Sequence, residues 1–89
     1  MRTPAFTTQF HRDMKLCEKQ GKDLTKIKAV MFDLIVGNPL PPKNKDHMMV
    51  GNFKGHRNCH VEPDWILLYL YDGDEVRFVR TGSHSELLE

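Results

Sequence analysis

Eighty-nine residues and 10.4 kDa leave room for one hydrophobic core, so the chain reads as a single domain spanning 1–89. At 39% hydrophobic and 28% charged, the composition is that of a globular domain and excludes a disordered chain. The net charge of +1 conceals an asymmetry: residues 1–60 hold eleven Lys/Arg against five Asp/Glu, a balance of +6, and residues 61–89 hold two against seven, a balance of −5. The two cysteines, Cys17 and Cys59, are too few for a disulfide framework. The longest apolar run, Trp65 to Leu70, is far short of a membrane span, and residues 1–20 lack the apolar stretch of a signal peptide. The expected setting is a reducing cytoplasm, with no membrane partner.

In chain order, Arg2 to Phe6 reads as an edge strand, the place where Pro4 is tolerated. Thr7 or Thr8 caps a helix whose apolar face is Phe10, Met14 and Cys17; Gly21 ends it. Asp23 caps a second helix with a stripe of Leu24, Ile27, Val30, Met31, Leu34 and Ile35, stopped by Gly37 and Pro39. The two form a helical hairpin. Asn38 to Asp46 is a proline-restricted loop, and beyond it the pattern turns strand-like: His47 to Lys54 interrupted at Gly51, then His56 to Val61 up to Pro63. Trp65 to Tyr71 is apolar throughout and predicts a central strand buried on both faces. Asp72-Gly73-Asp74 is a hairpin turn into Glu75–Thr81, which alternates, with Val76 and Phe78 on one face and Arg77 and Val79 on the other. Ser83 or Ser85 then caps a short helical turn over Glu86-Leu87-Leu88. The fold class is α+β: an N-terminal edge strand and a two-helix hairpin packed on one face of a mainly antiparallel sheet.

In such a meander the end of the His56–Val61 strand, the start of the Trp65 strand and the end of the Glu75–Thr81 strand meet at one rim. That brings His60, Asp64, Arg80 and His84 together, with His47 joining them if the Asn38–Asp46 loop runs that way. Imidazoles, a carboxylate and a guanidinium are what RNA cleavage by its own 2′-hydroxyl requires. One group takes the 2′-OH proton, another protonates the leaving 5′-oxygen, and a fixed cation stabilises the phosphorane. Imidazole suits either proton role, with an ordinary pKa of ~6.5. His56-x2-Cys59-His60 lacks a fourth ligand at metal spacing, and neither metal nor cofactor is expected. Taken singly, each residue has a structural alternative: Trp65 as core, Arg80 in an ion pair, Asp64 as a turn cap, His11 as surface.

The strings Gly51-Asn52-Phe53-Lys54-Gly55-His56-Arg57-Asn58-Cys59-His60-Val61-Glu62-Pro63-Asp64-Trp65 and Arg80-Thr81-Gly82-Ser83-His84, with Lys45-Asp46-His47, resemble the YafQ branch of the RelE-like toxins. The resemblance also covers the Gly21–Leu24 helix junction and Leu40-Pro41-Pro42. It implies the compact RelE-like fold and a type II toxin–antitoxin toxin that cuts mRNA in the ribosomal A site. Carried over by motif, His47, His60, Asp64 and His84 fall on proton-transfer positions and Arg80 on the phosphate position, with His84 favoured as acid and His47 or Asp64 as base. Trp65, Lys54 and Arg57 fall among RNA-binding positions, as does Leu88, where the family pattern has an aromatic residue. Lys15, Lys19, Lys22, Lys26 and Lys28 are candidates for the ribosomal RNA backbone. The implied partners are a cognate antitoxin, the 70S ribosome with its mRNA, and operator DNA through the antitoxin. Two alternatives stand beside this: a ParE-like gyrase inhibitor on the same scaffold, and a co-repressor without catalysis.

Overall fold

The computed structural model describes residues 1–88. Strand β1 (Thr3–Phe6) leads into helices α1 (Thr8–Lys19) and α2 (Leu24–Val36). A 3-10 turn at Pro42–Asn44 precedes β2 (His47–Met48), and a second at Gly51–Phe53 precedes β3 (Arg57–Glu62). Strands β4 (Trp65–Asp72) and β5 (Glu75–Gly82) and helix α3 (His84–Leu88) complete the chain. The sheet order is β1-β5-β4-β3-β2, antiparallel throughout except for the parallel pairing of β1 with β5. The matches to the expected elements are close. The exception is the His47–Lys54 stretch, where pairing stops after two residues and Gly51, at φ +71°, turns the chain into a 3-10 turn.

β4 is the middle strand, and its first five residues, Trp65 to Tyr69, are wholly buried. Leu70 is only half-buried and Tyr71 is exposed, so the two-faced burial is shorter than the apolar run. Under the helical hairpin, Trp65, Leu67 and Tyr69 pack with Phe10, Cys17, Ile27, Val30 and Leu34. On the opposite face, here called the outer face, Ile66 and Leu68 pack with Leu87 of α3, flanked by Met49, Phe53, Val79 and Leu88. At about 2 kcal/mol per large apolar side chain removed from water, these layers dominate the stability of so small a domain.

α1 is joined to the sheet through its cap. The Thr7 hydroxyl accepts from the Phe10 N–H at 2.9 Å and donates to the Val79 carbonyl at 2.7 Å, while the Thr7 N–H donates to the Phe78 carbonyl at 3.2 Å. One side chain therefore satisfies an orphan helix donor and also pins the helix start to β5. Thr7→Ala is expected to lower the unfolding free energy by about 1–2 kcal/mol in urea titrations, and Thr7→Ser by less than half of that. Equal losses in the two variants would assign the effect to the methyl group instead.

Candidate active site

Residues paired across an antiparallel ladder point to the same face. The register sets His47 against Asn58, Asn58 against Leu68, His60 against Ile66, and Leu68 against Arg80. His47, His60 and Arg80 therefore share the outer face with Ile66 and Leu68. Arg80 is there because of a β-bulge. Tyr69 pairs with Phe78 and Leu68 with Arg80, leaving Val79 as an extra residue. Strict alternation from Phe78 would have put Arg80 under the helices; the extra residue turns it outward.

His84 reaches the same rim from α3. Ser83 caps that helix: its hydroxyl accepts from the Glu86 N–H at 3.2 Å, and Glu86 Oε1 accepts from the Ser83 N–H at 2.8 Å. Leu87 then plugs into the outer-face cluster. Asp64, in the turn between β3 and β4, accepts from the His84 backbone N–H at 3.2 Å and from the ring Nδ1 at 3.3 Å. The backbone bond first, then the ring bond, hold the Asp64 carboxyl below its ordinary value. The His60 and His84 rings lie 5.5 Å apart between centroids.

The imidazoles share one tautomer. His60 Nδ1 donates to the Pro63 carbonyl at 3.1 Å and His47 Nδ1 to the Lys45 carbonyl at 2.7 Å; His84 Nδ1 faces the Asp64 carboxylate. Carbonyls and carboxylates only accept, so Nδ1 carries the proton in each ring and Nε2 is left for a substrate. The loop before β2 serves this geometry. Asn44, buried, donates from Nδ2 to the His60 carbonyl at 2.7 Å, and Lys45 takes the left-handed φ of +47° that turns its carbonyl to His47.

A residue absent from the sequence reading completes the rim. β1 pairs with β5 only as far as Phe78, so beyond it the edge of β5 is open and α1 supplies Asp13. Asp13 Oδ2 accepts from Arg80 Nε at 3.0 Å and the Thr81 N–H at 3.1 Å; Oδ1 accepts from Arg80 Nη2 at 3.0 Å and Gln9 Nε2 at 3.1 Å. Asp13 is 5% exposed. The sequence did carry a signal: Asp13 sits three residues after Phe10, inside the stripe of Phe10, Met14 and Cys17, where a carboxylate calls for a buried partner.

Two expected RNA contacts are placed elsewhere. Trp65 is 1% exposed and its indole N–H donates to the Thr81 hydroxyl at 2.9 Å, so it supports the rim from beneath and offers no face to a base. Arg57 is three positions before His60, hence on the opposite face. There its Nη2 donates to Asp46 Oδ2 at 2.8 Å, and the Tyr69 hydroxyl donates to the same carboxylate. That cluster anchors Asp46, the neighbour of His47. Lys54 is exposed, and Leu88 is half-buried in the outer-face cluster. Lys15, Lys19, Lys26 and Lys28 are exposed on the helical hairpin, across the sheet from the histidines; Lys22 is half-buried beside Gln20, and Lys26 pairs with Glu62 at 3.0 Å. Between α2 and the 41–45 turn runs a groove of about 630 Å³, bordered by Lys26, Lys43 and Lys45, with His60 among its lining.

Residues 2–89 match the family model described as the bacterial toxin of type II toxin–antitoxin system, YafQ. The chain belongs to the YafQ toxins. It is 45% identical over 84 residues to the mRNA interferase toxin YafQ of Escherichia coli strain K12, covering 92% of this chain and 90% of that one. Among solved structures, the toxin in the E. coli DinJ–YafQ complex superposes with a TM-score of 0.93 at 43% identity, covering 100% of both chains. A metal-bound toxin from Helicobacter pylori superposes with a TM-score of 0.92 at 39% identity, covering 99% of this chain and 100% of that one. The RelE-like α+β fold expected of a type II toxin is therefore the fold observed.

The Asp64–His84 contact gives a direct prediction for this toxin. Because the folded state lowers the Asp64 pKa, the contact stabilises the protein above the unfolded carboxyl pKa, and that stability is lost as pH falls through the lowered value. By carboxyl ¹³C NMR, Asp64 is expected to titrate below the ordinary aspartate range. In His84→Ala it moves only part of the way back, since the backbone bond remains. A full return would show that the ring accounts for the whole shift.

Proposed function

We propose that this toxin is an mRNA interferase, a ribosome-dependent endoribonuclease of the cytoplasm that cleaves mRNA in the A site and so inhibits translation. The observation that carries the reading is the pair of imidazoles 5.5 Å apart on the face that also bears Arg80, each with Nε2 left for a substrate. Two such rings can flank a scissile phosphodiester. One Nε2 takes the proton of the 2′-hydroxyl as its oxygen attacks phosphorus. The other, protonated, gives its proton to the departing 5′-oxygen. The products are a 2′,3′-cyclic phosphate and a 5′-hydroxyl, and the protons balance across the two rings.

In this assignment His84 is the acid and His60 the base, with His47 the alternative base on the adjoining edge strand. Asp64 has its carboxyl turned to His84 and its basicity reduced, which suits it to orienting that ring rather than to taking the 2′-OH proton. Arg80 has five N–H donors, of which Asp13 takes two, so three remain for the phosphorane oxygens. Substrate delivery falls to the ribosome, since the net charge of +1 gives the chain little general affinity for polyanions. The cognate antitoxin is the silencing partner, and through it the pair contacts operator DNA.

Producing the toxin without antitoxin tests the reading. Wild-type protein is expected to stop growth with loss of mRNA and intact chromosomal DNA. His84→Ala relieves both, turnover on ribosome-bound mRNA falling by about 10²–10⁴. Arg80→Lys is expected to lower turnover about 10²–10³ with ribosome affinity retained. Persistent growth arrest by folded His84→Ala would overturn the enzymatic reading in favour of a non-catalytic poison such as a gyrase inhibitor.

A further inference from the structure

We infer that Asp13 is a positioning residue for the cleavage reaction: it locks the Arg80 guanidinium in the orientation that meets the transition state. The inference rests on the ribonuclease reading of the same rim, and it deepens that reading by naming what fixes its cation.

The geometry is that of a clamp. Arg80 stands on the outer face by virtue of the bulge, but its guanidinium bends to the open edge of β5, where α1 presents the carboxylate. The contact is bidentate, Nε to Oδ2 and Nη2 to Oδ1, both at 3.0 Å, and it fixes the plane of the fork as well as its position. Asp13 is itself immobilised by the Thr81 N–H and Gln9 Nε2, and by burial. The Arg80 side chain keeps 32% of its surface, and among the described residues Nη1 has no hydrogen-bond partner, which leaves its two donors for a ligand. Asp13 also offsets the charge of Arg80. A guanidinium partly neutralised in the free enzyme binds ground-state phosphate weakly. It still presents donors already aimed when negative charge builds on the equatorial oxygens, without reorganisation. Losing Asp13 therefore acts on turnover more than on binding.

A structural role predicts something different, and two substitutions separate them. Asp13→Glu keeps the charge and the ion pair but moves the carboxylate along its stem, displacing the fork. Asp13→Asn removes the charge at nearly constant shape. Each is made alone and with Arg80→Lys, which keeps the cation but loses the fork. The variants are produced with antitoxin, released from it, checked by thermal unfolding, and assayed by single-turnover cleavage of mRNA in the A site of 70S ribosomes.

The expected result for Asp13→Glu is a loss of about 10²-fold in turnover, with the mRNA–ribosome concentration for half-maximal rate retained. Adding either Asp13 change to Arg80→Lys then costs little more, because the clamp has no fork left to hold. Full activity in Asp13→Glu would show that charge compensation suffices and would overturn the inference, as would losses that multiply in the double variants. If Asp13→Asn does not fold, Asp13→Glu and its double variant still decide. Wild-type protein that cuts no mRNA would sink the enzymatic reading and this inference with it. Cutting by wild type alongside multiplying losses would sink the inference alone.

Discussion

A strand buried on both faces must be covered twice. In β4 five consecutive residues, Trp65 to Tyr69, are removed from water, and a helical hairpin can cover only one side of them. The other side is closed by the last turn of the chain, where Leu87 seats against Ile66 and Leu68. That requirement places α3, and α3 carries His84 at its head. The turn that starts β4 carries Asp64, which receives His84 by two hydrogen bonds. The hydrophobic cover and the chemical rim are thus one construction.

The second device is a break in regularity. A sheet with unbroken alternation would have kept Arg80 beneath the helices, next to Phe78. One extra residue, Val79, moves it to the face with the histidines, and the early end of β1 opens the edge at which Asp13 can grip it. On the other flank the 44–47 segment binds its own sequence to the sheet residue by residue. Asn44 holds the His60 carbonyl, Lys45 bonds His47, and Asp46 joins Arg57 and Tyr69. Rigid tethers of this kind hold the rim imidazoles near one geometry, which in the proposed reaction would spare the cost of ordering them.

The periodicities of α1, α2 and β4, the Thr7, Asp23 and Gly37 caps and the Gly73 turn were legible because each is a local property of a few neighbouring residues. The gathering of His60, Asp64, Arg80 and His84 at one rim followed from a meander. What failed to show depends on distant partners. Asp13 and Arg80 are 67 positions apart, and the bulge at Val79 leaves no composition cue. Arg57 reads as an available cation until Asp46 and Tyr69 are seen around it, and Trp65, open in sequence between core and RNA contact, is placed in the core only by the helical hairpin packed over it. The brevity of β2 reflects Gly51 at positive φ, where the apolar residues around it still read as strand.

The central claim is that two imidazoles with a clamped guanidinium cut RNA through its own 2′-hydroxyl. End-group analysis tests it most directly, on mRNA incubated with toxin, either free or programmed in the A site of 70S ribosomes. The account predicts cuts only on the ribosome, leaving a 2′,3′-cyclic phosphate or its opened 3′-phosphate and a 5′-hydroxyl. A 5′-phosphate product, undiminished cutting of a substrate with 2′-deoxyribose at the scissile nucleotide, or no cutting at all would contradict it.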